Sequence, residues 1–225
     1  MLKLYGKEFT RSELLRYVGD ISQIAGVRRY ELREGNERGV EAVDFRTGCG
    51  FNFTVLPGRG MDISFAEYNG VPLCWRSPTG EVEASFYEPE GFGWLRSFYG
   101  GLLVTCGLRQ VGAPCEDEGE SLGLHGRISN IPAKNVWADT RWEGNEFVMW
   151  VQGKVREVRV FGENLVLTRR IWAKLGEPKL HIYDIIENDG FSETPLMLLY
   201  HINIGFPVVD EEAELLAPSL EVKPR

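Results

Sequence analysis

The chain has 225 residues, 43% of them hydrophobic, and carries 25 basic against 33 acidic residues, a formal net charge of −8. This composition supplies a packed core, while the lack of Lys/Arg-rich runs argues against a nucleic-acid or anionic membrane surface. No apolar stretch approaches the roughly 18 residues that a spanning helix needs. The N-terminus has no secretory signal and the four cysteines form no C-x-x-C pair, so we expect reduced thiols in a cytoplasmic protein.

The predicted elements are strands almost throughout. A short helix comes first, because Thr10 and Glu13 form a capping box and Gly19 is a stop signal. In the first half, strands are predicted over residues 27–34, 40–47, 51–56, 61–68, 71–76 and 102–106. Asn69-Gly70 is a hairpin signal. In the second half, strands are predicted over residues 135–142, 146–155, 155–161, 165–173, 179–187 and 195–204.

Two polar, glycine-containing loops interrupt this pattern at residues 77–93 and 107–121. Long loops inside a compact domain are typical of functional segments. At least ten strands following one another predict an all-β antiparallel sandwich or barrel rather than a βαβ fold. We found no linker that divides the chain, so we expect one domain over residues 1–225.

His201 is the first candidate for chemistry, since a histidine pKa of about 6.5 suits proton transfer near neutrality. Side chains alternate along the predicted strand, so His201 shares one side with Met197, Leu199 and Asn203. That side begins apolar and turns polar, as in a strand that runs from a core into a binding cleft. The expected core stripe on the other side is Leu198, Tyr200, Ile202 and Ile204. The alternative is a partly buried structural histidine.

His125 is the second candidate. Gly123 and Gly126 flank it and allow close approach of other backbone, and Arg127 follows two residues later. The alternative is a loop histidine with no functional role. The third histidine, His181, lies in a regular predicted strand and is interpreted as an ordinary sheet residue.

The segment Leu56-Pro-Gly-Arg-Gly-Met-Asp-Ile63 is a third feature. Its glycines permit a backbone path that presents Arg59, whose guanidinium could bind hydroxyls or carboxylates, and Asp62 could accept from hydroxyls. The alternative is an Arg–Asp pair that fixes a turn. Trp94 and Phe98 lie near the predicted loops and could wall a pocket.

Taken together, several runs resemble the aldose 1-epimerase (galactose mutarotase)-like superfamily over roughly residues 25–210. They are Leu56–Ile63, Gly100-Gly-Leu-Leu-Val-Thr-Cys-Gly107, Leu124-His-Gly126, Glu187-Asn188 and Tyr200-His-Ile-Asn203. The resemblance implies a large antiparallel β-supersandwich that binds a sugar across one sheet. It also implies interconversion of the α and β anomers of an aldose by acid/base ring opening, without cofactor or metal.

By the same resemblance, His201 is the general acid and His125 holds the sugar and supports that charge. The substrate-binding candidates are Arg59, Asp62, Arg127, Asn203 and Trp94. The base in the family is a glutamate near the carboxyl end of a longer chain, and no residue here matches it. The family's arginine before the first histidine is also out of its usual setting, with Arg59, Arg109 or Arg127 as replacements.

These departures lead us to expect a C-terminally incomplete domain that self-associates or is poorly soluble on its own, because missing strands expose sheet edges. The expected partner is a small-molecule sugar whose identity the sequence leaves open. One alternative is a noncatalytic carbohydrate-binding protein in which both histidines only hydrogen-bond a sugar. Another is a metal-dependent sugar isomerase that uses His125, His201 and Asp62 or Glu187.

Overall fold

The computed structural model describes residues 1–216, 218–219 and 221. One short helix, α1, spans Arg11–Leu14. The strands are β1 (Leu2–Leu4), β2 (Lys7–Phe9), β3 (Gly26–Glu31), β4 (Glu41–Arg46), β5 (Phe51–Leu56), β6 (Asp62–Tyr68), β7 (Val71–Pro72), β8 (Leu103–Leu108), β9 (Cys115–Asp117), β10 (Glu120–Leu122), β11 (Lys134–Glu143), β12 (Glu146–Val158), β13 (Asn164–Lys174), β14 (Leu180–Asn188) and β15 (Met197–Ile202). Short 3₁₀ turns lie at Ile21–Gln23, Gly35–Glu37, Ala84–Phe86, Gly93–Arg96 and Ile128–Asn130. No helix in the described part of the chain could span a membrane.

Two antiparallel sheets form the sandwich. The larger has seven strands in the order β15-β8-β6-β5-β4-β3, with β7 paired to β6. The smaller has four strands in the order β11-β12-β13-β14, and two small hairpins, β1-β2 and β9-β10, lie apart from both. The predicted all-β, antiparallel supersandwich with one short N-terminal helix is therefore confirmed.

Local signals placed several elements correctly. The α1 capping box is present, since the Glu13 amide donates to Thr10 Oγ1 at 3.2 Å and the Thr10 amide donates to the Glu13 carboxylate at 2.7 Å. However, α1 ends at Leu14, before the predicted stop at Gly19. The strands predicted over 146–155 and 155–161 are one strand, β12, because no turn residue separates them.

The main core lies between the two sheets. Alternate side chains of the larger sheet, such as the stacked pair Phe45 and Phe53 with ring centroids 4.5 Å apart, meet alternate side chains of the smaller one, such as Met149 and Ile171. Period-two alternation thus supplies one apolar face per sheet. The same alternation sends the other side chains of β12 and β13 to the outer face of the smaller sheet.

A second apolar cluster covers the opposite face of the larger sheet. There Leu56, Val104 and Cys106 pack against Trp94 and Tyr99 from the loop that precedes β8. Tyr87, inside the predicted loop 77–93, also packs against this cluster, so the loop and the residues that follow it cover this face of the larger sheet.

Strand β15 is an edge strand that pairs only with β8 in the larger sheet. His201 lies opposite Val104, a residue of the second cluster, so the predicted side of His201 is correct. The predicted burial of the other side is wrong beyond Leu198, since Ile202 is 51% exposed. An edge strand has a neighbour on one side only, so its inner face is incompletely covered.

Candidate functional site

The structure brings the two candidate histidines together. Their ring centroids lie 5.5 Å apart at an interplanar angle of 76°. His201 comes from β15, and His125 comes from the loop between β10 and the turn Ile128–Asn130. Residues 76 positions apart in sequence thus meet at one place on the larger sheet.

The His125 loop is held by backbone contacts that only glycine permits. His125 has φ +58° and Gly126 has φ +73°. The Gly107 amide donates to the His125 carbonyl at 3.0 Å, and a Cβ on Gly126 would lie 2.4 Å from the Gly107 carbonyl oxygen. The Gly112 amide donates to Nδ1 of His125 at 3.2 Å, so the proton of the neutral ring is on Nε2.

The Nδ1 atom of His201, unlike that of His125, is buried and accepts no hydrogen bond from the described residues. A buried imidazole nitrogen without a partner is uncommon in a folded protein, so this position is a candidate for contact with a ligand or a water molecule. Asn203, two residues on, donates its side-chain amide to the carbonyls of Gly101 and His201, both at 3.1 Å, so it steadies the end of β15 beside the imidazole.

Aromatic rings wall the two imidazoles. Trp94 stacks on Phe98 with centroids 4.6 Å apart and meets His125 edge-on at 4.9 Å. Phe98 meets His201 edge-on at 5.6 Å. Because Trp94 is buried and its Nε1 donates to Ser129 Oγ at 3.3 Å, it forms the back of the wall.

Trp75 is a further wall residue that sequence reasoning missed. Its ring centroid lies 5.9 Å from that of Phe98, and its amide donates to the Asn203 carbonyl at 2.9 Å. Trp75 is 46% exposed, which leaves part of an aromatic surface open to a ligand. We find no local sequence signal that separates Trp75 from the core tryptophans.

Arg59 is placed in the interior rather than among ligand-binding groups. Its guanidinium is fully buried and donates to the carbonyls of Ser129 at 2.9 Å, Ser97 at 3.0 Å and Val82. Burial lowers its pKa. The expectation of a sugar-binding Arg59 is thus corrected, because its guanidinium donates to three backbone carbonyls instead. These hydrogen bonds connect the loops that carry Trp94 and His125.

Asp62 is also placed between the sheets, on the side away from His201. Its carboxylate accepts from the Thr105 amide at 3.0 Å, from Thr105 Oγ1 at 2.5 Å and from Arg169 Nη1 at 2.9 Å. Arg169 also binds Asp184 through two hydrogen bonds of 2.9 and 2.8 Å, and Tyr200 donates to Asp184 at 2.7 Å. Burial raises the pKa of Asp62 to about 6, against the opposing effects of Arg169 and Thr105.

The remaining charged candidates lie elsewhere. Arg127 is exposed and lines a separate cavity of about 210 Å³ with Glu157, whose pKa is raised by burial. Arg109 forms ion pairs with Glu120 and Glu163, in which its Nη1 lies 3.0 and 3.5 Å from the two carboxylates. Glu187 lies on β14 of the other sheet. Among the described residues, no group of three histidines, cysteines or carboxylates is placed to hold a metal.

Comparisons with known proteins agree with this architecture. A family model described as a domain of unknown function (DUF4432) matches residues 37–225. A Klebsiella pneumoniae crystal structure, provisionally assigned as an aldose 1-epimerase, has 25% identity and a TM-score of 0.76 over 82% of this chain and 48% of its own. A galactose mutarotase-like protein from Clostridium acetobutylicum has 12% identity and a TM-score of 0.55 over 85% of this chain and 57% of its own.

The chain thus spans about half the length of these two solved structures. No curated protein matches it. The family match covers most of the chain, and the superfamily resemblance drawn from the ordered set of sequence motifs is confirmed by these neighbours. The chain belongs to the DUF4432 family and has the fold of the aldose 1-epimerase and galactose mutarotase-like superfamily.

Proposed function

We propose that this chain binds an aldose and supplies the acid side of the reaction that interconverts its α and β anomers. The observation that carries this proposal is the pair of imidazoles, 5.5 Å apart between ring centroids, with Phe98 edge-on to His201 and Trp75 next to Phe98. Aromatic faces suit the C–H surface of a sugar, and imidazoles exchange protons near neutral pH.

In this proposal His201, in its protonated form, is the general acid. It gives a proton to the ring oxygen of the sugar as the bond between that oxygen and the anomeric carbon breaks. The anomeric hydroxyl loses its proton to solvent water, because no residue of this chain is assigned as the base, and its oxygen becomes the carbonyl of the open chain. Rotation about the adjacent carbon–carbon bond and reversal of the proton transfers give the other anomer and regenerate the imidazolium.

The role of His125 follows from its contacts. Because its Nδ1 is engaged by the Gly112 amide, the neutral ring can donate only through Nε2. A fixed donor near the breaking bond holds a sugar oxygen and lowers the cost of charge that develops there. The structural neighbour assigned as an aldose 1-epimerase supports this chemistry, and the two glycine contacts of the loop make the position of the donor rigid.

The test is the rate of anomer exchange, followed by NMR on a panel of aldoses with the purified chain. We expect acceleration with at least one sugar, loss of that acceleration in His201→Gln, and no change in His181→Gln, a matched control on the other sheet. If a sugar binds and His201→Gln weakens that binding, yet no exchange is accelerated, the protein is a noncatalytic carbohydrate binder. Activity that disappears after chelation and returns with a metal ion would favour the metal-dependent isomerase instead.

A further inference from the structure

The outer face of the four-stranded sheet carries a grid of planar side chains. Backbone register places four residues in one row across β11 to β14: Trp137, Gln152, Arg170 and Tyr183. The neighbouring row is Asp139, Trp150, Trp172 and His181. These side chains point away from the main core, since the alternate residues of β12, including Met149 and Val151, belong to it.

The rings in the middle of this grid are covered by their neighbours. Trp150 is buried beneath the guanidinium groups of Arg141 and Arg170, which lie 5.4 and 5.3 Å from its ring centroid. Trp172 and His181 stack on each other at 3.8 Å with an interplanar angle of 8°. These contacts hold the grid in one conformation before any ligand arrives.

The two ends of the first row are open. Trp137 is 57% exposed and Tyr183 is 61% exposed. They are three strands apart, which at about 4.8 Å per strand separates their backbones by about 14 Å. Between them stand the amide of Gln152 and the guanidinium of Arg170. The row therefore offers two aromatic surfaces with hydrogen-bonding groups between them.

Arg170 packs on the ring of Trp150, has no carboxylate partner among the described residues, and its Nε is buried without a hydrogen-bond partner. This guanidinium therefore favours an anionic occupant. A second copy stacked on this face through a two-fold axis would bring like guanidinium groups together, which costs free energy.

We propose that this face binds an acidic saccharide, with a carboxylate at Arg170 and pyranose rings against Trp137 and Tyr183. Sugars present flat C–H faces that pack on aromatic rings, and a uronic acid adds the carboxylate that a guanidinium binds through two parallel hydrogen bonds. This site is independent of the imidazole pair, because it lies on the other sheet of the sandwich.

The experiment titrates the full chain with a galacturonic acid trimer and with the neutral galactose trimer, by calorimetry. We expect the acidic trimer to bind, its affinity to fall with added salt, and the neutral trimer to bind at least about tenfold more weakly. Arg170→Gln and Trp137→Ala should each lower the affinity for the acidic trimer at least about tenfold. Arg96→Gln, a matched control at an exposed arginine outside the four-stranded sheet, should leave this affinity unchanged.

Thermal unfolding of each variant checks that it is folded, and Tyr183→Ala replaces Trp137→Ala if the tryptophan variant is not. Absence of binding by the acidic trimer would overturn the proposal. So would equal binding of the neutral trimer, or affinities that folded variants do not change. An oligoglutamate peptide that binds as tightly as the acidic trimer would also overturn it, since the face would then recognise acidic peptide chains.

Discussion

Replacement of Arg59 by methionine tests how the segments around the imidazole pair are held together. The guanidinium of Arg59 reaches three backbone carbonyls that belong to three different segments, at Val82, Ser97 and Ser129. It also lies 5.2 Å from the ring centroid of Tyr99. Methionine fills similar volume but leaves all three buried acceptors without a donor.

The expected cost follows from the contacts. A hydrogen bond from a charged donor contributes about 1.5–3 kcal/mol, while removal of the buried guanidinium returns part of its desolvation cost. We therefore expect a loss of about 3–5 kcal/mol in the free energy of unfolding. Arg59→Lys should not restore this loss, because one ammonium group cannot reach three acceptors that a planar guanidinium spans.

Urea denaturation followed by tryptophan fluorescence measures this loss. With a slope of about 2–3 kcal/mol per molar urea, the midpoint should fall by about 1–2.5 M. The matched control is Arg96→Met in the same region, an exposed residue paired with Glu88 at 3.2 Å, which should cost below about 1 kcal/mol. If Arg59→Met costs no more than Arg96→Met, the view of Arg59 as the tie between these loops is wrong.

Three further predictions concern other parts of the molecule. Folding raises the pKa of Asp62 from its usual 3.8 to about 6, so the folded state keeps a proton that the unfolded state loses between these values. The stabilising contribution of this carboxyl is complete below about pH 4 and is lost as the pH rises through about 6. Relative to Asp62→Asn, the unfolding free energy of the wild type should fall by about 3 kcal/mol over this range. A difference between the two proteins that stays the same at every pH would contradict this. Tyr200→Phe removes the hydrogen bond to Asp184 and should cost about 1 kcal/mol in the same assay, and no loss would show that this contact does not hold β15. Phe98→Ala should weaken sugar binding about tenfold in an NMR titration, and in the anomer-exchange assay it should change KM more than kcat. Unchanged binding would show that Phe98 does not contact the sugar.

Much of the fold could be predicted because it depends on local patterns. Period-two alternation placed most strands and put His201 on the correct side of β15. The glycines around His125 indicated close backbone approach, and the Gly107–Gly126 contacts confirm it. What local pattern could not predict is that β15 is a sheet edge, since this depends on which other strands pair with it.

The placements of Arg59 and Asp62 could not be predicted for a related reason. Their glycine-rich segment suggested exposed polar groups, but the partners that use them are distant in sequence. Arg169 lies 107 residues from Asp62, and Ser129 lies 70 residues from Arg59. A buried charge is stable only with such partners, and the spacing of residues along the sequence does not predict them. Trp75 joined the cleft in the same way, through a contact with Asn203.

The central claim is that the two imidazoles form a proton-transfer site for a sugar. Its most direct test is NMR magnetisation transfer between the α and β anomeric protons of an aldose that binds the chain, compared between wild type, His201→Gln and His181→Gln. We predict transfer faster than the spontaneous rate for wild type and for His181→Gln, and transfer at the spontaneous rate for His201→Gln. Equal acceleration by wild type and His201→Gln would contradict the account.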